Sequence, residues 1–457
     1  MREETIFGKA GRAVRRGVLF LALAAGLSAA VAAPFSAARA QDGPAFTWGF
    51  AERIRQEYLG NVYDLDAGNG DVTNYLRFRS QLQAGWVPAR GWKVGAVLNN
   101  EHRRWFKSTK GLEDEDFEID EFIVENLYVS ADRIGGSPFG FVAGRQNIMY
   151  GEGFLFMDGG PLDGSRTGYF NAIRLRASCA KRSVEMHFLK NPEWDHYLPV
   201  ANCLYKPLVE YEETGAGLYY TDDSFAGRRI EAYYLFKNEK DEKDVLPESD
   251  IHTMGARVSG KHAERLEYAA EFAIQAGDRG GKLRKATGGY ARAAWSFPIP
   301  FDPSVRGGVI YLSGDDPATG DYEGWNPLYS RWPKWSDLYI YTLAAHENGA
   351  AYWDNLMAPN LGVSIKPAGW ITLDAAVYFM MAPEDDPDSA PGVSSLDPIF
   401  GDGDYRGTLS NIRLTWSAEK YFSGHLQWER FAPGDYYFGG ADAADFLRCE
   451  FNFRYDG

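Results

Sequence analysis

The stretch "YLRFRSQLQAGW", from Tyr75 to Trp86, decides how this chain folds. Taken two at a time, Leu76, Phe78, Leu82, Ala84 and Trp86 fall on one side, broken only by Ser80. Tyr75, Arg77, Arg79, Gln81, Gln83 and Gly85 fall on the other. Alternation of this kind marks an extended strand with two unlike faces. In a soluble sheet the apolar face would cover a core and the other would meet water. Here the wet face carries paired arginines, so what each face touches has to be worked out.

The same pattern recurs to the end of the chain. Phe46, Trp48, Phe50, Ile54 and Tyr58 oppose Arg53, Arg55 and Glu57; Trp92, Val94, Ala96 and Leu98 oppose Lys93, Asn99, Glu101 and Arg103. Leu266, Tyr268, Ala270, Phe272 and Ile274 oppose Glu267, Glu271 and Gln275. The last segment sets Leu447, Cys449, Phe451, Phe453 and Tyr455 against Arg448, Glu450, Asn452 and Arg454. Between such segments, tight connections such as "VPARG" (87–91) and "SAEKYF" (417–422) alternate with long acidic ones at 107–120, 237–250 and 381–395. Amphipathic strands of about ten residues, even in number, joined by short turns on one side and long loops on the other, are how an outer-membrane barrel is built. Lipid then covers the apolar faces, and closure leaves no unpaired backbone edge in hydrocarbon. A soluble β-sandwich or propeller also alternates, but neither needs the long/short rhythm or the aromatic-rich final strand.

Residues 1–40 read as a secretory signal: Arg2, Lys9, Arg12, Arg15 and Arg16 precede an apolar run from Val18 to Ala33, and Ala38-Arg39-Ala40 suits a signal peptidase. Residues 41–457 then form a single barrel domain. Removing the signal leaves 42 Lys+Arg against 61 Asp+Glu, a net charge of −19. That balance argues against a nucleic-acid partner, though not against a local cationic bore. Aromatic residues make up 15% of a chain whose mean hydropathy is only −0.37, which suits many two-faced strands. Three cysteines are too few for a disulfide framework. Cys179 is expected in a short-side turn, Cys203 in an outer loop and Cys449 on the lipid face. Catalysis finds no motif: there is no His-Glu-x-x-His pair and no Gly-x-Ser-x-Gly elbow. "GDRGGKLRK" (277–285) lacks phosphate-loop spacing. No cofactor is expected; "SGDDPATGD" (313–321) and "DPIFGDGD" (397–404) space carboxylates as Ca²⁺ loops do, without the closing glutamate.

Five motifs occur together. "FVAGRQNIMYGEGFLFMDGGPLDGSRTGYFNAIRL" (141–175) resembles the corresponding part of the alginate-export family of outer-membrane barrels, with its Gly-Arg-Gln strand end and Tyr-Gly turn. "GLYYTDDSFAGRRIEAYYLFKNE" (217–239), "YLSGDDPATGDYEGWNPLYS" (311–330), "NLGVSIKP" (360–367) and "ERFAPGDYY" with "ADFLRCEFNFR" (429–454) are similar to that family in the same order. The resemblance implies a monomeric barrel of about eighteen strands that secretes an anionic polysaccharide through an arginine-lined pore. Its expected partners are membrane lipid, the polysaccharide and periplasmic export components. The strand count draws on this resemblance as well as on the pattern. The 417–422 connection is too short for the family's pore-plugging turn.

A barrel of that size leaves an aqueous lumen. Arg53, Arg55, Arg77, Arg79, Arg103, Arg174, Arg176, Arg257, Arg292, Arg413 and Arg448 then face it, since an arginine on lipid would cost about 2–4 kcal/mol at the midplane. A guanidinium grips a carboxylate in a planar fork, so a row of them offers a polyuronate successive weak sites. Two plainer readings stand beside this one. The arginines could pair with Glu57, Glu101, Glu185, Glu231 and Glu450 and only shape the field. Arg145 and Arg166 lie at strand ends, where they are placed equally well to fold a long loop inward. A solute-specific uptake porin and an adhesive barrel are the functional alternatives.

Overall fold

A computed structural model describes residues 45–62, 64–107, 118–157, 169–193, 211–240, 247–330, 335–341, 353–384, 401, 403–418 and 421–456. The signal segment, Arg166, Cys203, most of 397–404 and the centres of the three acidic loops lie outside them. Eighteen strands run antiparallel, each bonded to its neighbours in sequence. They are β1 (Ala45–Gly60), β2 (Val72–Val87), β3 (Trp92–Lys107), β4 (Glu118–Ala131), β5 (Phe139–Gln146), β6 (Phe170–Cys179), β7 (Arg182–Asn191), β8 (Glu212–Asp222) and β9 (Arg228–Lys240). The second half is β10 (Ser249–His262), β11 (Leu266–Arg279), β12 (Lys282–Ser296), β13 (Ser304–Leu312), β14 (Leu356–Ala368), β15 (Ile371–Met381), β16 (Tyr405–Ala418), β17 (Phe422–Pro433) and β18 (Ala444–Asp456). β1 pairs with β18 from Gly49↔Asp456 to Gly60↔Asp445, which closes the sheet into a barrel with no free edge.

The two faces of the opening stretch separate as the alternation requires. Phe46, Leu82, Trp86, Phe272 and Leu361 stand on the outside, with Phe272 57% exposed, while Arg55, Glu57 and Glu101 are fully buried inside. Aromatic side chains gather at the short-turn end: Trp48 meets Tyr455 at 5.4 Å and Trp92 meets Phe141 at 5.8 Å between ring centroids. Such a girdle suits the membrane–water boundary. No helix among the described residues is long and apolar enough to cross a membrane; one four-residue turn, α1 (Leu338–Tyr341), lies inside the barrel, where Leu338 and Tyr339 are buried. Cys179 ends β6 in an exposed position, and Cys449 points outward between inward-facing Arg448 and Glu450.

Two expectations need correction. The long/short rhythm breaks between β11 and β12, whose connection on the long-loop side is only Gly280-Gly281. Both glycines have positive φ (57° and 86°), the conformation of a tight two-residue hairpin turn, and that is the role of the "GDRGG" stretch. Nor is the lumen simply water. In its long-loop half, Ile148, Phe154, Leu155 and Phe156 from the β5–β6 connection pack with Trp325, Leu328, Tyr329, Leu338 and Trp353 from the β13–β14 connection. These side chains meet inward-facing Tyr219, Tyr233, Leu235, Ile251, Leu312 and Phe446, so the barrel holds a hydrophobic core inside as well as a lipid face outside.

Candidate functional site

One wall of the lumen is a ladder of charge pairs fixed by strand register. Arg55, Arg77 and Arg103 lie side by side on β1, β2 and β3, with Glu450 of β18 opposite Arg55 and Glu57 opposite Arg448. Three adjacent guanidiniums repel unless carboxylates intervene, and here they do. Arg55 binds Glu450; Arg77 Nε reaches Glu101 at 2.8 Å and Arg103 Nη2 reaches the same carboxylate at 2.7 Å. Arg448 Nε donates to Glu57 at 2.6 Å, and Arg79 Nη2 donates to both oxygens of Glu125 at 3.1 Å. Arg53 is buried within the electrostatic reach of Glu101 and Glu450. Arg413 on β16 has its Nη2 3.3 Å from the His425 ring.

The opposite wall carries the second group. Arg257 on β10 binds Glu231 and lies 3.8 Å from Glu271; Arg292 on β12 holds Glu267 at 3.4 Å. Both also reach Glu152, which is not on a strand but on the β5–β6 connection folded into the lumen. Arg257 Nη2 donates to Glu152 at 3.1 Å, and Arg292 donates through Nε at 3.0 Å and Nη2 at 2.5 Å. Burial alone would raise the Glu152 carboxyl, but the Arg292 and Arg257 guanidiniums outweigh it and hold it below the ordinary glutamate value of 4.5. Nearby, Arg174 Nε donates to Gln146 at 2.7 Å and Arg174 Nη1 to Glu185 at 3.3 Å, with Arg176 3.8 Å from the same glutamate. Tyr150, Tyr219 and Tyr233 stack in series at 4.2 and 5.5 Å.

The most buried and the most exposed arginines fall in different groups, although Arg257 of the second is only 8% exposed. The side chains of Arg55 and Arg448 are 0% exposed, whereas Arg176 is 57% and Arg292 38% exposed. A cavity of about 760 Å³ opens beside this second wall toward the short-turn end. Arg176, Arg228, Arg229, Arg257, Lys261 and Arg292 line it against Glu185, Asp223, Glu231 and Glu267, an excess of cations. A smaller cavity of about 210 Å³ lies between Glu152, Arg292, Tyr290, Trp335, Trp353 and Tyr378.

The β13–β14 connection narrows the bore. Its residues dock on one arc through Gln275, whose Nε2 donates to Asn326 O at 2.7 Å, and through Lys237, whose Nζ donates to Leu328 O at 2.6 Å. They dock on another arc through Glu429, which accepts from the Asp337 and Leu338 amides at 3.0 and 3.1 Å, and through Arg448, 2.8 Å from Asp337.

All five carboxylates named from sequence as partners do pair with arginines, and most arginines on the first wall are buried against carboxylates rather than open to solute. Arg145 holds the fold: its Nη1 donates to Val124 O and its Nε to Asn171 Oδ1, both at 3.0 Å, and it lies over the Tyr169 ring. The sequence reading missed Glu152, Lys237 and the Arg306–Asp374 pair between β13 and β15. Glu152 was hidden because loop residues carry no alternation to reveal which way they point, although Gly151 and Gly153, both at positive φ, flank it and mark a tight bend. In the acidic 313–321 segment, Asp321 pairs with Lys285. Among the described residues, no three metal-ligating side chains are grouped to hold an ion.

Solved structures share this barrel. The outer membrane protein opdK from Pseudomonas aeruginosa matches with a TM-score of 0.56 at 7% identity, covering 90% of this chain and 99% of that one. OccD3 (OpdP) of Pseudomonas aeruginosa matches at 0.54 and 8% identity over 90% and 91%, and Acinetobacter baumannii OccAB4 at 0.53 and 9% over 90% and 98%. At such identities the likeness establishes the fold. No curated protein matches the chain. The sequence pattern described as Alginate export matches residues 46–445, from the first strand into the last. With its closed eighteen-stranded barrel and charged lumen, this chain is a channel-forming outer-membrane protein and belongs to the Alginate export family.

Proposed function

We propose that the channel passes an anionic polysaccharide, or fragments of one, outward by passive and electrostatically selective diffusion. The observation that carries this reading is the excess of water-reached cations on the β6–β12 wall, in a chain that is otherwise strongly acidic. Arginine forks fit sugar carboxylates in the geometry already used by the resident glutamates. A polyuronate therefore exchanges one carboxylate for another as it moves, and no guanidinium is stranded between sites. Binding stays weak enough to release because each site is already paired. The outward direction follows the family.

A second reading, a solute-specific uptake channel, is favoured by the packed interior, which leaves cavities of about 760 and 210 Å³ beside the connections folded into the lumen. Planar-bilayer recording separates the two. Export of a polymer requires current block by uronate oligomers whose residence time grows with chain length. Block by monosaccharides alone, with no length dependence, would replace the polymer with a small solute.

A further inference from the structure

Arg292 lines both cavities, and the carboxylate it holds, Glu152, lines the smaller one and hangs from a loop rather than a strand. We propose that the smaller cavity is a subsite for one uronate ring, and that the ring's carboxylate binds Arg292 there by displacing Glu152. This deepens the reading above and rests on it.

The pair is built to be exchanged. Its two side chains are 38% and 29% exposed, so a dissolved carboxylate reaches the same guanidinium that Glu152 occupies. Displacement leaves no cation bare: Arg257 keeps Glu231, and Arg292 keeps Glu267 at 3.4 Å. Breaking a buried pair is expensive chiefly because it strands a charge; here each cation keeps a carboxylate, and Glu152, already 29% exposed, is the one charge that must turn to water. The Arg55–Glu450 and Arg448–Glu57 pairs of the opposite wall also have neighbouring carboxylates, but their arginines are fully buried, so no dissolved carboxylate reaches them.

The rest of the cavity suits a sugar ring. Tyr290 and Trp335 are each partly exposed, and with Tyr378 and Trp353 they line it with aromatic side chains beside the charged end. Carboxylate recognition at Arg292 and a ring platform at Trp335 thus share one small space, which is the pairing of contacts that an acidic pyranose presents.

The experiment records single channels of the full-length protein blocked by a uronate trisaccharide and, separately, by a neutral glucose trisaccharide. Heat-modifiable migration on gels confirms that each variant forms a barrel. Glu152→Gln removes the competitor and is expected to tighten uronate block by roughly tenfold, the size of one charge-assisted contact. Trp335→Ala is expected to weaken it roughly fivefold, and Arg292→Gln to abolish the preference for uronate over the neutral sugar. If uronate blocks the wild type but Glu152→Gln and Trp335→Ala leave that block unchanged, the subsite falls and the channel reading stands. If uronate does not block the wild type at all, both fall together.

Discussion

On the β1–β3 and β18 wall, Arg55, Arg77 and Arg448 reach carboxylates that neighbouring strands hold in register; on the β10–β12 wall, Arg257 and Arg292 share one that a loop delivers. The residue types are the same. The difference is what would have to move to separate them. Parting Arg448 from Glu57 separates two side chains that are 0% exposed inside a closed sheet, where water cannot replace the lost contact, so that wall is structural and sets a fixed field. Parting Arg292 from Glu152 moves a loop segment and separates two side chains that already meet water, so on the proposed reading that wall is the one a solute can reach. A guanidinium in a barrel lumen is therefore informative only once the anchor of its partner is known.

The comparison breaks most visibly in stability. Glu57→Gln leaves Arg448 and its neighbours without their shared carboxylate, and removal of one partner of a buried pair typically costs about 3–5 kcal/mol. Urea unfolding in lipid vesicles should show a loss of that order. Glu152→Gln, at a partly exposed loop pair, should lose less than about 1 kcal/mol. Equal losses would erase the distinction between the walls. A charge on the other side of the sheet gives the next largest effect: Phe272→Arg, at an outward position midway along β11, should cost about 2–4 kcal/mol in the same assay. An unaffected barrel would mean that lipid does not meet that face.

Selectivity sharpens the contrast further. Arg176→Glu with Arg292→Glu reverses two of the water-reached arginines and should invert the ion preference of the pore. Arg55→Gln, fully buried, should change folding yield far more than the reversal potential. The smallest effect concerns pH. Because Glu152 is held below its ordinary value of 4.5, its pairing contributes in full above that value and is lost only as pH falls through the depressed one. Open-state noise from the loop should stay flat from about pH 7 to about pH 5 and rise at more acid pH; Glu152→Gln should be noisy throughout. A transition near neutrality in the wild type would assign the noise to another group.

The strands were legible because a lipid face and a water face force strict alternation. Phe46 to Tyr58 and Leu447 to Tyr455 revealed both their conformation and their inward residues, and Glu57, Glu101, Glu185, Glu231 and Glu450 emerged as partners for the same reason. What stayed hidden lies where that constraint lapses. The Gly280-Gly281 hairpin sits where the rhythm called for a long loop, and only its two adjacent glycines hinted otherwise. The core inside the barrel is formed by Phe154, Phe156, Trp325 and Tyr329, whose aromatic character could equally have meant contact with membrane or solute. Burial of the first-wall arginines depends on distances across three strands, which a single strand's pattern does not contain.

The central claim is that water-reached cations on the β6–β12 wall set the field of the pore. The reversal potential of the wild-type channel in a planar bilayer, across a gradient of potassium chloride, tests it most directly. The account requires a potential of the sign that marks chloride as the more permeant ion, declining as ionic strength screens the wall. A potential of the opposite sign would contradict it, because the acidic loops rather than the arginines would then govern what passes.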